Sequence, residues 1–102
     1  MAIGNPEIKH KIFRRMKKPV TVIHPTVFVS VNAVIDTGCV IEANAVVNSK
    51  AIVNDGCFIY AGAVVNHNAV VGEFCQVDCN AVVAVGTEVP KSIKIQICTV
   101  FK

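Results

Sequence analysis

The sequence predicts an all-β fold, a three-sided parallel solenoid that winds the chain into a short prism. Three observations predict it. Ile or Val recurs at every sixth residue from Ile23 to Ile95, a small or modest side chain stands four residues after each, and Gly or Asn gathers between the two. A fixed short period of this kind marks a stacked repeat architecture.

The first row reads Ile23, Val29, Ile35, Ile41, Val47, Val53, Ile59, Val65, Val71, Val77, Val83, Val89 and Ile95, thirteen positions without exception. The second runs Val27, Ala33, Cys39, Ala45, Ala51, Cys57, Ala63, Ala69, Cys75, Ala81, Thr87, Ile93 and Thr99; only Val27 and Ile93, near the two ends, exceed Cys or Thr in size. The third row, three residues after each Ile or Val, holds Asn32, Gly38, Asn44, Gly56, Gly62, Asn68, Asn80 and Gly86. Gly and Asn accept φ > 0 at the least steric cost, so each unit of six is one short strand and one sharp corner. Phe74 breaks this third row and predicts a locally different corner. Three units close a coil of 18, and residues 23 to 100 make about 4.3 coils, a column roughly 20 Å tall at the usual strand spacing. The composition agrees: 53% of the 102 residues are hydrophobic but only 6% aromatic, a Val, Ile and Ala bias that favours strands.

Residues 1–22 form a separate lead-in to the solenoid of residues 23–102. Asn5, Pro6 and Glu7 read as a helix start, Ile8, Ile12, Phe13 and Met16 recur at helical spacing, and Pro19 ends the element. A short amphipathic N-terminal α-helix is therefore expected, placed to cover the open first rung. At the other end Lys91, Lys94 and Lys102 are expected to discourage edge pairing. The net charge of +3 originates in this lead-in, where Lys9, Lys11, Arg14, Arg15, Lys17 and Lys18 face a single acid, Glu7. Without interleaved aromatics or a recognition motif, that charge reads as a solvated helix face and not as a nucleic-acid site. No apolar run approaches the roughly 18 residues that cross a bilayer, and no signal peptide is legible. Five cysteines, an odd number with no zinc-type spacing, fit a reduced cytoplasmic setting without a metal.

The residue before each inward Ile or Val points outward, and every third one shares a face. One face reads Phe28, Val46, Val64, Val82, Val100, a second Val34, Ile52, Val70, Glu88, and a third Val22, Val40, Phe58, Gln76, Lys94. The first is apolar throughout, which predicts a homotrimer of parallel prisms packed through it. His67 then stands at the corner of that face, lining an intersubunit cleft where an imidazole can serve as general base. Cys39, Cys57 and Cys75, spaced by 18, stack on one inner edge as core fillers. Cys79 and Cys98 fall at corners, and His24, beside Pro25 at the first corner, reads as structural. Two solenoid histidines cannot supply a three-histidine zinc site.

The run IYAGAVVNHNAVVGEFCQVDCN, from Ile59 to Asn80, together with the opening AIGNPEIKHKIFRRMKK and the Ile23-His24-Pro25 segment, resembles the hexapeptide-repeat sugar acetyltransferases of the sialic-acid and bacillosamine type. The resemblance covers nearly the whole chain. It implies a left-handed coil, although parallel crossovers in general take the opposite hand. It also implies acetyl-CoA as co-substrate, held between neighbouring prisms, and an amino or hydroxyl group of a sugar as acceptor, deprotonated by His67. Backbone N–H groups would stabilise the oxyanion. The chain departs from the family around that histidine. Asn68 stands where an acid usually follows, with Asn66 before it, both beside the acceptor. Gln76 takes the place of a second histidine near the coenzyme, and Val85, with Gly86 adjoining, the place of a glycine near the acetyl group. Nearly all of the family's N-terminal nucleotide-sugar domain is missing from the sequence. The competing reading is a non-catalytic trimeric solenoid, an assembly or binding module that has lost the activity.

Overall fold

The computed structural model describes residues 20–102, and within them the chain is a parallel β-solenoid of about four coils. Fourteen two-residue strands form three sheets. Face A stacks β1 (Val22–Ile23), β4 (Val40–Ile41), β7 (Phe58–Ile59), β10 (Gln76–Val77) and β13 (Lys94–Ile95). Face B stacks β2 (Phe28–Val29), β5 (Val46–Val47), β8 (Val64–Val65), β11 (Val82–Val83) and β14 (Val100–Phe101). Face C stacks β3 (Val34–Ile35), β6 (Ile52–Val53), β9 (Val70–Val71) and β12 (Glu88–Val89). The pairing is parallel and offset by 18 residues, as in Val46↔Val64 and Val64↔Val82. There is no helix among the described residues. The N-terminal helix expected before Pro19 lies outside them.

Every second residue of a strand turns inward. The inward row from Ile41 to Val83 is fully buried, together with the fillers from Cys39 to Ala81, and the two rows form one continuous core. Burial fails at the first rung, where Ile23 remains 42% exposed. At the other end the inward row continues one step beyond the Ile and Val series. Phe101, larger than any residue before it in that row, packs against the core as a terminal plug.

The corners follow from backbone geometry. Gly38, Gly56, Gly62 and Gly86 have φ between 69° and 74°, and Asn44, Asn68 and Asn80 lie between 56° and 62°. A turn bond closes many of these corners, as from Ala63 N–H to the Tyr60 carbonyl (3.1 Å) and from Ala69 N–H to that of Asn66 (3.1 Å). A left-handed third residue within such a bond is the type II pattern. Two corner expectations are corrected. Phe74 has φ 59°, like its neighbours, and its ring lies over Gly56, where a methyl group would come within 2.5 Å of two ring carbons. Phe74 thus accepts the strained torsion while its ring covers the corner one coil above it. Asn32, in the first coil, is not left-handed; its side-chain oxygen accepts from the Lys50 N–H (3.2 Å) and the Ser49 hydroxyl (2.8 Å) instead.

The three stacked cysteines do more than fill space. Cys39, Cys57 and Cys75 each donate from the thiol to a carbonyl 15 residues on, those of Asn54 (3.1 Å), Gly72 (3.1 Å) and Pro90 (2.9 Å). Alanine at the other edges has no such donor. A hydrogen bond with the Cys39 thiol, and then burial, hold the Cys57 thiol well above its ordinary pKa, so it stays protonated. Of the two corner cysteines, Cys98 is exposed and Cys79 half-buried.

Candidate functional site

The chain passes from face B to face C at four successive corners, and these stack into one edge of the prism. Coil by coil it presents Ser30-Val31-Asn32, Asn48-Ser49-Lys50, Asn66-His67-Asn68 and Ala84-Val85-Gly86. His67 sits near the middle of this BC edge, exposed, with the apolar outward row of face B on one side. The Gly86 N–H donates to the His67 carbonyl (2.9 Å), and the Asn68 N–H to that of Ser49 (3.0 Å), so the backbone of the edge is fixed from below and above.

The fold therefore brings together His67, Asn66, Asn68, Val85 and Gly86, and it does not bring Gln76 to them. Gln76 belongs to β10 on face A, the side of the triangle opposite the BC edge. Its side chain is fully buried, the amide oxygen accepting from the Tyr60 hydroxyl (3.1 Å) and Nε2 left without a partner. Burial and position both remove it from the surroundings of His67. A glutamine in the strand's outward place gives no sequence signal of this.

The neighbours of His67 differ in what they offer. Asn66 is half-buried, and its side-chain oxygen accepts from Nδ2 of Asn48 one coil away (3.2 Å). That amide is occupied within the edge. Asn68 is exposed and takes the left-handed corner torsion, φ 61°. Val85, directly below His67, is 64% exposed, and a methyl group added at Gly86 would touch nothing within 4 Å. Because the Gly86 N–H is committed to His67, the Val85 N–H is the backbone donor of this coil's corner left over from the solenoid's own bonding.

Charge distinguishes this edge from the other two, a feature legible only once corner residues are sorted by face. The AB edge carries Glu42 and Asp78, and the CA edge Asp36, Asp55 and Glu73. Among the described residues the BC edge carries no carboxylate, and Lys50 stands one coil above Asn68. Lys102 follows at the chain's end. At the AB edge the Cys79 thiol is raised by burial first and then by the charge of Asp78, which makes it a poor nucleophile. His24, at the same edge, is used structurally as expected: its Nδ1 accepts from the Thr26 N–H (3.2 Å) and contacts the Thr26 hydroxyl (2.9 Å), whose oxygen takes the Asn44 N–H (2.9 Å). Among the described residues no three His, Cys, Asp or Glu side chains converge as a metal site would require. Among the described residues there is no helix long and apolar enough to cross a membrane.

Comparison with solved structures finds the same architecture. The acetyltransferase domain of PglB from Neisseria gonorrhoeae matches with a TM-score of 0.69 at 24% identity, over 99% of this chain and 60% of that one. This chain shares its fold. The same domain in complex with acetyl coenzyme A matches at 0.64 and 25% identity, over 97% of this chain and 62% of that one. PerB from Caulobacter crescentus, in complex with CoA and GDP-perosamine, matches at 0.69 and 20% identity, over 99% of this chain and 59% of that one. The chain thus spans about three fifths of the length of these structures. No protein-family model matches it, and no curated protein does.

Proposed function

We propose that the chain is an acetyl-CoA-dependent acetyltransferase module that acylates an amino or hydroxyl group of a sugar at the BC edge, with His67 as general base. The observation that carries the reading is the coincidence, at one edge, of an exposed imidazole, an unused backbone donor at Val85 and a surface free of carboxylates. A coenzyme rich in phosphate is repelled by the acidic AB and CA edges and not by this one. The likeness to a PglB domain bound to acetyl coenzyme A supports the same ligand class.

A convex edge cannot enclose a ligand by itself. The apolar row Phe28, Val46, Val64, Val82 and Val100, with its end residues 57% and 58% exposed, ends at this edge and suits packing against a second prism. A homotrimer joined through face B, with a left-handed coil as in the resembled family, places a cleft wall opposite His67. In that cleft His67 takes the proton of the acceptor group as it attacks the acyl carbon, and returns it to the departing CoA thiolate as the thioester C–S bond breaks. The Val85 N–H is available to the developing oxyanion, Gly86 leaves room beside it, and Asn68 is free to orient the acceptor. The coenzyme supplies the activated acetyl group.

One observation favours the second reading, a non-catalytic solenoid serving in assembly or binding. No described residue hydrogen-bonds to the His67 ring, and Asn66 is tied to Asn48, so none of the described residues orients the imidazole or stabilises its cation. Thermal-shift titration with acetyl-CoA and CoA separates the two. Binding at a hundredfold excess over Kd stabilises by about 2.7 kcal/mol. The acetyltransferase reading predicts that shift in the wild type and in His67→Ala, with release of CoA in the presence of an amino sugar lost only in the variant. No shift at millimolar coenzyme overturns it.

A further inference from the structure

The two edges that bound face B carry opposite charge. Among the described residues the BC edge presents Lys50, His67 and, where the chain reaches that edge a last time, Lys102, with no carboxylate. The AB edge presents Glu42 and Asp78, with no lysine or arginine. Both carboxylates are half-buried and held at the edge by the backbone. An oxygen of Asp78 accepts from the Cys79 N–H (2.7 Å), and one of Glu42 from the Ala61 N–H (3.3 Å). A carboxylate has about four acceptor sites, so one such bond leaves capacity for a further donor.

Position along the prism sorts these charges into pairs. When parallel copies close a ring through face B, the BC edge of each meets the AB edge of the next, and no copy is displaced along the axis. Height along the axis then follows residue number, about 4.8 Å for every 18 residues. Asp78 comes 11 residues after His67 and so stands about 3 Å further along; Lys50 comes eight after Glu42, about 2 Å further. An antiparallel pair through the same face would set each edge against its own copy, lysine against lysine. Closest in height to His67 on the facing edge is Ala61, whose small side chain leaves room for an acceptor.

We propose that the partner subunit's Asp78 completes the site of His67: its carboxylate accepts a hydrogen bond from the imidazole, orients the ring and stabilises its cation, while the partner's Glu42 pairs with Lys50 and holds the two edges in register. The inference rests on the acetyltransferase reading and supplies the group that reading lacks, since Asn68 is an amide and none of the described residues of the same chain bonds to the ring. The partner subunit's Asp78 is a positioning residue. The proton taken from the acceptor stays on the imidazole until it passes to the CoA thiolate, and the carboxylate gains none. The charged and titratable groups facing His67 are Lys50 of its own chain and, across the cleft, the partner's Glu42, the partner's Asp78 and the partner's Cys79, with the partner's Asp78 closest in height. The coenzyme phosphates keep a place of their own. Beyond Asp78 the AB edge continues with Gln96, Ile97 and Cys98, and the BC edge beyond His67 with Val85, Gly86 and Lys102, none of them a carboxylate.

Asp78→Asn tests it, because asparagine keeps an acceptor for the Cys79 N–H and removes only the charge. A nearby carboxylate favours the imidazolium, so in the assembled variant the pH at which the His67 ring takes up its proton, followed by NMR, is expected to fall by about one unit. An unchanged titration overturns the proposal. Acetyl transfer to an amino sugar at neutral pH is expected to fall at least about tenfold in the same variant. Asp78→Asn refolded with an equal amount of His67→Ala should recover about a quarter of the wild-type rate, because a ring of mixed copies rebuilds sites that hold both groups. A mixture no more active than its separate components overturns action across the interface. The titration requires no turnover, so a wild type without activity that shows the difference supports the contact and refutes the acetyltransferase reading alone. Zero-length carbodiimide cross-linking of an equal mixture of ¹⁴N- and ¹⁵N-labelled wild type decides the matter if Asp78→Asn fails to fold. Lys50 is expected to link to Glu42 between copies, and links of Lys50 to Asp55 or Glu73 instead, or no link between copies, overturn the proposal.

Discussion

Replacing Gly72 by alanine is expected to destabilise the solenoid more than the same change at Gly86, although only Gly86 has a left-handed backbone. At Gly86, φ is 69° and an added methyl group has nothing within 4 Å. The cost there is torsional alone, about 1–2 kcal/mol for a residue with a Cβ. Gly72 has no such strain, but its methyl group would lie 2.6 Å from the Val89 oxygen, 2.7 Å from the Lys91 nitrogen and 2.9 Å from the Pro90 carbonyl carbon. All three are backbone atoms of the next coil, held by the bond from Gly72 N–H to the Val89 carbonyl (2.8 Å). They can retreat only if the ladder opens, so the cost lies at or above the upper end of ordinary overpacking, about 3 kcal/mol. For a chain of this size, each kcal/mol moves Tm by roughly 4–8 °C. Gly86→Ala should then lower Tm by about 4–16 °C and Gly72→Ala by more than about 12 °C, while Gly86→Asn stays within about 0.5 kcal/mol of the wild type because Asn68 and Asn80 already hold that torsion. Denaturant midpoints at one fixed protein concentration provide the assay, since assembly makes stability concentration-dependent. A Gly86→Ala variant as unstable as Gly72→Ala would refute the assignment of collision at one site and torsion at the other.

Two further outcomes follow from the packing. Val64→Asp places a charge at the centre of the apolar row on face B without touching the inward core; light scattering should show the wild type at about three times 10.9 kDa and the variant at about 10.9 kDa, and an unchanged mass in the variant removes face B as the interface. The Cys57 thiol ionises near 9 when unconstrained and is held protonated in the fold, so the folded state binds the extra proton above that pH and unfolding free energy falls as pH rises past about 9, by up to about 1.4 kcal/mol per unit. Cys57→Ala should reduce that alkaline slope, at a cost near neutrality of about 1 kcal/mol for the lost bond to the Gly72 carbonyl; an identical slope contradicts the role given to the thiol.

The periodicity of six exposes the architecture because a solenoid repeats its constraints. Each coil needs an aliphatic residue inward, a small one behind it and a permissive torsion at the corner, so Val65, Ala69 and Asn68 state in miniature what the whole chain does. The repeat alone misleads where a side chain acts on the coil beside it. Phe74 looks like a broken corner in sequence, yet it takes the ordinary torsion because its ring covers Gly56. Asn32 looks like a left-handed corner, yet as a first-coil residue it lends its side chain to the backbone of the next. Phe101 lies outside the Ile and Val series and still ends the core. Within the site, placement of His67, Asn66, Asn68, Val85 and Gly86 at one edge follows from counting by 18. The burial of Gln76 does not, because it depends on the Tyr60 side chain that bonds its amide oxygen.

The most direct measurement of the central claim is amide chemical-shift mapping of the assembled protein titrated with acetyl-CoA. The account predicts shifts concentrated at Asn66, His67, Asn68, Val85 and Gly86, with the corners at Asp55 and Glu73 unmoved. Saturating coenzyme that leaves the BC edge silent, or that perturbs only the acidic edges, would contradict it.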